Sequence, residues 1–94
     1  MVFVRDENKN RINRRKHGVS FEAAVRVFED PRALSFVERV VEGEERWHTI
    51  GLAGGIAVLL VVHTVEEGYG EEKVRIISAR KAAPRERALY ESYE

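Results

Sequence analysis

The chain has 94 residues, of which 34% are charged and 44% hydrophobic, with a formal net charge of zero and no cysteine. This length and composition predict one globular domain over residues 1–94 and argue against a disordered chain. The lack of cysteine excludes disulfides, thiolate zinc sites and cysteine nucleophiles. The apolar run 56–62 is too short to cross a bilayer and no signal peptide is recognisable, so a cytoplasmic protein without membrane contact is expected.

The N-terminal third predicts a short strand followed by two helices. Residues 2–4 are β-prone. Asp6 can cap a helix over residues 7–16 that Gly18 ends, and this helix must lie on the surface because its chief apolar residue is Ile12. Ser20 can cap a second helix, which Asp30-Pro31 ends. Its apolar residues recur at helical spacing: Phe21, Ala24, Val25 and Phe28.

The remainder predicts strands and a closing helix. Strands are expected over residues 34–41, 46–52, 56–64 and 73–80, and Pro84 suits the first turn of a helix. Regular alternation in the last strand places one set of side chains on a single face: Val74, Ile76, Ser78 and Arg80. Leu89 and Tyr93 are expected to pack inward. The order β-α-α-β-β-β-β-α predicts an α+β fold, with an antiparallel sheet of about four strands and the helices on one face.

Charge is segregated along this chain. Residues 1–20 carry six Lys or Arg against two acids, residues 21–72 four against eleven, and residues 73–87 six against one. If the two basic segments meet in space, they form a cationic patch suited to phosphate. If they lie on opposite sides, they only solvate the surface.

The first basic segment ends in an elbow, RRKHGVSFEAA, at residues 14–24. His17 in this elbow suits general acid or base catalysis, or is a helix-terminal cation stabilised by the dipole. The helix pair also resembles a DNA-reading helix-turn-helix. The second helix, however, is acidic, and phosphate would repel it. Its charged residues are Glu22, Arg26 and Glu29, with Asp30 just beyond.

The second basic segment surrounds the end of the last strand. Its cations are Arg75, Arg80, Lys81, Arg85 and Arg87, and Ser78 shares a face with Arg80. Such a group can bind a phosphodiester, or can pair with acids of the middle segment such as Glu42, Glu44 and Glu45. His48 and His63 lie on adjacent strands without a third ligand, which argues against a metal site. The aromatic residues suit base stacking or half-buried packing: Trp47, Tyr69, Tyr90 and Tyr93.

Two motifs near the ends of the chain are specific as a pair. The first runs from Asn13 through Lys16-His17-Gly18-Val19-Ser20-Phe21-Glu22 to Ala24. The second is Arg75-Ile76-Ile77-Ser78-Ala79-Arg80-Lys81-Ala82, followed by Glu86, Arg87 and Tyr90. Between them lie Glu45-Arg46, Gly51 and Leu60-Val61-Val62-His63-Thr64. In these residues the chain resembles the BrnT family of toxins from bacterial type II toxin–antitoxin pairs. It departs from the usual family pattern at Arg5, and at Val65-Glu66, where many members carry an arginine.

The resemblance implies a RelE-like fold and endoribonuclease activity on RNA without metal or cofactor. It also implies a BrnA-type antitoxin as partner, and contact with operator DNA only through that antitoxin. Metal-free cleavage by 2′-hydroxyl attack needs a base, an acid and cations. The expected catalytic residues are His17, Arg46, His63, Arg80, Lys81 and Glu86, and the expected RNA-binding residues are Lys16, Arg75, Ser78 and Arg85.

Within that set, Arg46, Arg80 and Lys81 would hold the phosphate. His17 or His63 would transfer protons, and Glu86 would orient a cation or act as the base. Alternatives are a weakened toxin homologue acting as an antitoxin-binding scaffold or corepressor, which Glu66 favours, and a nucleic-acid-binding module.

Overall fold

The architecture, taken from a computed structural model that describes residues 1–68 and 70–92, follows the predicted order of elements. The bounds are β1 Val2–Val4, α1 Glu7–His17, α2 Phe21–Val27, β2 Leu34–Val41, β3 Glu44–Ala53, β4 Ala57–Gly68, β5 Glu71–Lys81 and α3 Pro84–Ser92. The predictions for Tyr69 and Tyr93 lie outside the described residues. The sheet has five strands in the order β1-β5-β4-β3-β2, because β1 joins the four predicted antiparallel strands by pairing parallel to β5. The α+β fold is confirmed.

Both N-terminal helices begin, and α1 ends, at the residues that the sequence indicates, whereas α2 ends at Val27, before the predicted Asp30-Pro31. The Asp6 carboxylate accepts hydrogen bonds from the backbone N–H groups of Asn8 and Lys9 at 2.8 and 3.3 Å. Gly18 ends α1 in the left-handed conformation, with φ of 70°. Ser20 caps α2 by accepting from Ala23 N–H at 3.1 Å. These caps satisfy backbone groups that have no partner within the helix.

Asparagine, not an apolar stripe, attaches α1 to the sheet. Ile12 is 62% exposed, whereas Asn10 and Asn13 are buried. The Asn13 amide donates to Ala79 O at 2.7 Å and accepts from Ala79 N–H at 3.1 Å. It thereby bonds the edge of β5 beyond the last residue that β1 pairs, Arg75. Asn10 accepts from Phe21 N–H at 2.8 Å, which fixes the elbow between the helices.

The helices lie on both faces of the sheet. We call the face covered by α1 and α2 the helical face, and its core comprises Val19, Phe21, Ala24, Val27, Ala53, Leu59, Val61, Val74, Ile76 and Ala79. Gly51 permits this close packing, since a Cβ there would lie 2.8 Å from Val27 Cγ1. A second core holds Ile50, Leu60, Ala82 and Tyr90 on the opposite face. The expectation that all helices share one face is therefore wrong for α3.

Tyr90 docks α3, not the predicted Leu89, which is 42% exposed. Its hydroxyl donates to the Asp30 carboxylate at 2.5 Å, and Leu52 N–H donates to the same oxygen at 2.8 Å. Burial by itself raises the pKa of Asp30, but the hydrogen bonds from Leu52, Tyr90 and Arg32 outweigh it, and the pKa is lowered. Asp30 thus joins the end of α2 to β3 and α3.

A β-bulge in β5 changes which of its side chains share a face. Val62 of β4 opposes Ser78, while the next residue, His63, opposes Ile76, so Ile77 is an extra residue. The bulge reverses the alternation. Val74 and Ile76 enter the helical face, whereas Arg75 joins Ser78 and Arg80 on the other. The predicted grouping of Val74 and Ile76 with Arg80 is wrong for this reason.

A second bulge lies between β2 and β3. Val37 opposes Trp47 and Arg39 opposes Arg46, which leaves Glu38 as the extra residue. Opposed residues share a face in an antiparallel pair, so Arg39 and Arg46 lie on the same face.

No helix within residues 1–68 and 70–92 is long and apolar enough to cross a membrane.

Candidate active site

The face of the sheet opposite α1 and α2 carries most of the predicted phosphate-binding side chains. We call it the arginine face, and its polar residues include Arg39, Arg46, His48, Thr64, Arg75, Ser78 and Arg80. One row across the strands reads Phe36, His48, Val62 and Ser78. The adjacent row reads Leu34, Ile50, Leu60 and Arg80. Because α3 packs over Ile50 and Leu60, it forms a wall at one end of this face.

Arg80 and Glu86 form a bidentate pair at the foot of that wall. Arg80 Nη1 and Nη2 donate to Glu86 Oε1 and Oε2 at 2.8 and 2.9 Å. Ala83 N–H donates to Glu86 as well, at 2.8 Å, which caps α3. The hydrogen bond from Arg80 lowers the pKa of Glu86, and the same bond raises the pKa of Arg80. An ionised carboxylate with three donors is a poor base, so the geometry favours Glu86 as the residue that orients Arg80.

Arg46 and Arg75 meet at a shared carboxylate. Glu44 Oε1 lies 2.9 Å from Arg75 Nη2 and 3.2 Å from Arg46 Nη2. Arg75 thus pairs with an acid of the middle segment, which is one of its two interpretations, and it also shares a face with Arg80. Binding of a phosphodiester by Arg75 and Arg80 stays a prediction. Arg46 Nε is buried without a hydrogen-bond partner among the described residues. Two arginines and one carboxylate leave a net positive charge that an incoming phosphate can use.

His48 lies in the middle of the arginine face, where sequence reasoning placed no catalytic residue. It is partly buried, and its ring packs against Phe36 with centroids 5.7 Å apart. Burial lowers the pKa of His48, as do Arg80 and Arg39, while Glu38 and Glu86 raise it; the net direction is downward. The sequence contains a signal for this position, because His48 is two residues from Arg46 on one strand and must therefore share its face.

His63 lies in the interior, on the helical face. It is 2% exposed, and its ring meets Phe28 edge-on at 4.9 Å. Nε2 lies 2.6 Å from Thr49 Oγ1 and Nδ1 lies 3.2 Å from Thr64 O. A carbonyl only accepts, so Nδ1 carries the proton and Thr49 donates to Nε2. Burial lowers the pKa of His63. The sequence candidate for proton transfer therefore has no access to RNA in this arrangement.

The basic elbow lies at the edge of β5 and not on the arginine face itself. Lys16 and His17 line a groove of about 250 Å³ with Lys9, Ile12, Asn13, Ile77 and Ser78. Ser78 also faces the row that contains His48, so the elbow borders the arginine face at this edge. No ion pair or hydrogen bond joins Lys16 or His17 to Arg80 among the described residues. The two basic segments are thus side by side and in contact through the β1–β5 pairing and the Asn13–Ala79 hydrogen bonds.

The remaining candidates lie around the border of the site. Lys81 opposes Leu59, so it lies on the other side of the strand from Arg80. Arg85 is exposed in the first turn of α3. Glu66 opposes Lys73 on β4 and β5, two positions beyond Thr64 and on the same face as Thr64. No group of three or more potential metal ligands occurs in the part of the chain that the structure describes.

Fold and site together define a small α+β protein whose mixed, mainly antiparallel sheet displays arginines on one face, an arrangement suited to a phosphodiester. Residues 6–86 match the sequence profile of the family described as "Ribonuclease toxin, BrnT, of type II toxin-antitoxin system". The chain belongs to this family, as its motifs predicted, and the family is one of ribonuclease toxins that have antitoxin partners.

The fold is similar to a solved structure, the 1.1 Å crystal structure of the Brucella abortus ribonuclease toxin BrnT. The two chains are 24% identical, the TM-score is 0.63, and the match covers 88% of this chain and 99% of that one. At this identity the comparison establishes the fold. A search of the curated proteins gave no match.

Proposed function

We propose that this protein is a metal-independent endoribonuclease of the cytoplasm, which cleaves RNA by 2′-hydroxyl attack and is neutralised by a BrnA-type antitoxin. The observation that carries this proposal is the bidentate Arg80–Glu86 pair on the arginine face, next to the Arg46–Glu44–Arg75 cluster. Membership of a ribonuclease toxin family supports the reaction class.

The chemistry requires that extra negative charge on phosphorus be stabilised. As the 2′-oxygen attacks, the phosphate gains charge on its non-bridging oxygens, and preoriented cations stabilise that state more than the ground state. Glu86 fixes both terminal nitrogens of Arg80, so its guanidinium is oriented before substrate binds. The Arg80 side chain is 39% exposed, which leaves it accessible to RNA.

Arg46 and Arg75 supply the second cationic position. Glu44 holds them on the same face as Arg80, and the Arg75 side chain is 39% exposed. A phosphate that approaches Arg75 competes with Glu44, so binding here is expected to be weaker and less salt-dependent than at a free guanidinium. Ser78 offers a hydroxyl between these positions on β5, and Lys16 and Arg85 extend the basic border. The role of Lys81 stays a prediction.

The test is RNA cleavage by the purified chain in EDTA, with analysis of the product ends. Fragments with 2′,3′-cyclic phosphate and 5′-hydroxyl ends are expected. Arg80→Ala is expected to lose cleavage and growth arrest while retaining its fold. The matched control is Arg26→Ala, an arginine of α2 that pairs with the exposed Glu29 at 3.8 Å. Cleavage that requires added metal, or full activity of Arg80→Ala, would contradict the proposal.

A second candidate is an antitoxin-binding scaffold or corepressor that no longer cuts RNA. The engagement of Arg46 and Arg75 by Glu44, together with Glu66 on the same sheet, favours it, because these acids oppose phosphate binding. Intact RNA after incubation, combined with tight binding of the co-expressed antitoxin, would support this role. A neighbouring reading frame for a ribbon-helix-helix protein would identify that antitoxin.

A further inference from the structure

The three histidines of the chain differ in whether they can reach a substrate on the arginine face. His63 is in the interior, with a partner at each ring nitrogen. His17 is at the C-terminal end of α1, beside Ile77 at the edge of the sheet. His48 projects from the middle of the face, between the strand that carries Phe36 and the strand that carries Val62.

The residues around His48 place it within the cationic site. On β3 its neighbour on the same face is Arg46, and Ser78 of β5 ends its cross-strand row. The charged groups that act on it are Glu38 and Arg39 of β2, Arg80 of β5 and Glu86 of α3. Strands β2 and β5 and helix α3 thus each contribute a charged group to the surroundings of this ring.

We propose that His48 is the general base that accepts the proton of the attacking 2′-hydroxyl. This inference rests on the proposed ribonuclease function and deepens it, because it assigns a catalytic residue that the family motifs do not contain. In the reaction, the 2′-oxygen forms a bond to phosphorus and its proton passes to a ring nitrogen of His48. The bond from phosphorus to the 5′-oxygen breaks, and that oxygen leaves with the electron pair and takes a proton from solvent. The products are a 2′,3′-cyclic phosphate and a 5′-hydroxyl.

Two features prepare His48 for this role. Its ring packs against Phe36 at 5.7 Å between centroids, which restricts its orientation. Neither ring nitrogen is bonded to another described residue, in contrast to His63, so both are available to a ligand. The lowered pKa of His48 keeps the imidazole neutral near neutral pH, and the neutral form is the one that accepts a proton.

The test compares the wild type with His48→Gln and His48→Ala in single-turnover cleavage of RNA from acidic to alkaline pH. Loss of a general base is expected to slow cleavage by about 10²–10⁴-fold. The wild-type rate is expected to fall on the acidic side as the ring takes up a proton, and His48→Gln to lack this fall. Added imidazole is expected to restore part of the rate to His48→Ala. The control is Ile56→Gln in the β3–β4 turn, where Ile56 is 88% exposed.

Binding of an RNA analogue that lacks the 2′-hydroxyl at the cleavage site verifies that each variant is folded. If the wild type cleaves RNA and His48→Gln cleaves it with the same rate and pH profile, the role of His48 is overturned but the proposed function is not. Slow cleavage by His48→Ala without imidazole rescue, and with the acidic fall retained, would also overturn it and indicate a structural contribution. A wild type that cleaves no RNA would instead overturn the proposed function, and the role of His48 with it.

Discussion

The two faces of the sheet use the same residue types for opposite purposes. On the helical face, His63 is buried and both of its ring nitrogens have partners within the protein. On the arginine face, His48 lies on the adjacent strand and borders a group of arginines. The difference follows from strand alternation, which directs neighbouring positions to opposite faces. A polar side chain is therefore a structural or a chemical candidate according to its face, and residue type alone does not decide.

The polar groups around His63 on the helical face are bonded within the protein, whereas Arg80 on the arginine face is paired but accessible. Ser35, Thr49 and His63 form a continuous chain, with hydroxyl oxygens 2.7 Å apart and the ring 2.6 Å further on. A satisfied network of this kind stabilises one packing arrangement. Arg80 in contrast has a partner, Glu86, and remains 39% exposed. Substitutions on each face are therefore expected to have different effects on stability and on RNA cleavage.

Of the substitutions that compare the two faces, Arg80→Ala on the arginine face is expected to have the largest effect. Loss of a preoriented cation is expected to slow RNA cleavage by about 10²–10³-fold. The free energy of unfolding should change little, because Arg80 is partly exposed and pairs at the surface. Single-turnover kinetics and urea unfolding, with Arg26→Ala as the matched control, measure the two quantities. A large loss of stability with unchanged cleavage would remove the distinction between the faces.

The reverse pattern is expected for His63→Ala on the helical face. Removing a buried ring should lower the free energy of unfolding by about 3 kcal/mol, by analogy with the truncation of other large buried side chains. Urea unfolding measures it. His48→Ala is the matched comparison, because the same truncation of a partly exposed ring should destabilise the protein less. Equal losses at both positions would mean that exposure does not separate the two histidines.

A pH dependence of stability is expected from His63 as well. Its pKa is lowered by burial in the folded state, so the unfolded chain binds the proton more tightly. The contribution of the neutral ring to the free energy of unfolding is fully present above the ordinary histidine pKa, and it is lost as pH falls below that value. His63→Gln should reduce this dependence, which denaturant unfolding at several pH values can measure. An unchanged pH profile in that variant would assign the effect to other groups.

A smaller effect is expected from Tyr90→Phe, which removes one hydrogen bond to Asp30. Hydrogen bonds to charged groups contribute about 1.5–3 kcal/mol, so unfolding should become easier by no more than that. The pKa of Asp30 is lowered in the folded protein, so its contribution is present above the unfolded value and is lost as pH falls through the folded one. Without the Tyr90 hydroxyl the folded pKa rises, and acid unfolding should begin at higher pH. Circular dichroism during acid titration tests this, with Tyr90→Leu as a variant that also loses the ring.

The smallest effect is expected from Glu44→Gln. This change releases Arg46 and Arg75 from a surface ion pair, which is worth about 1 kcal/mol or less. RNA affinity should increase a few-fold, with a steeper salt dependence, because two guanidiniums become free for phosphate. Filter binding of a non-cleavable RNA at several salt concentrations measures the change. Glu71→Gln, at an exposed acid far along β5, is the control, and tighter binding in both variants would indicate a general charge effect.

Local signals in the sequence predicted the helices and strands well. Which side chains share a face at the candidate site depends instead on long-range strand pairing. The caps at Asp6 and Ser20 and the glycine at position 18 act within one turn of chain, so the pattern revealed them. The bulge at Ile77 depends on how β5 meets β4, and nothing within β5 marks it. Regular alternation along β5 predicts Arg75 and Arg80 on different faces of the sheet. Because the extra residue Ile77 reverses the alternation, the two share a face.

The periodicity of apolar residues also does not reveal how α1 attaches to the sheet, because that contact is polar. A search for apolar stripes finds only Ile12 in α1, and Ile12 is exposed. Asn13 attaches the helix through the backbone of Ala79, a contact between residues 66 positions apart. The family motif contains Asn13, and the structure supplies the physical reason that a motif by itself does not give.

The same amide has a consequence for self-association. A free β-strand margin is a template on which a second molecule can add a strand, and such addition leads to aggregates. At Ala79 both backbone groups are already occupied by one side chain, so this margin is closed to such growth without an extra strand. Exchange of Asn13 for alanine would reopen it, and light scattering over time would then show larger particles forming.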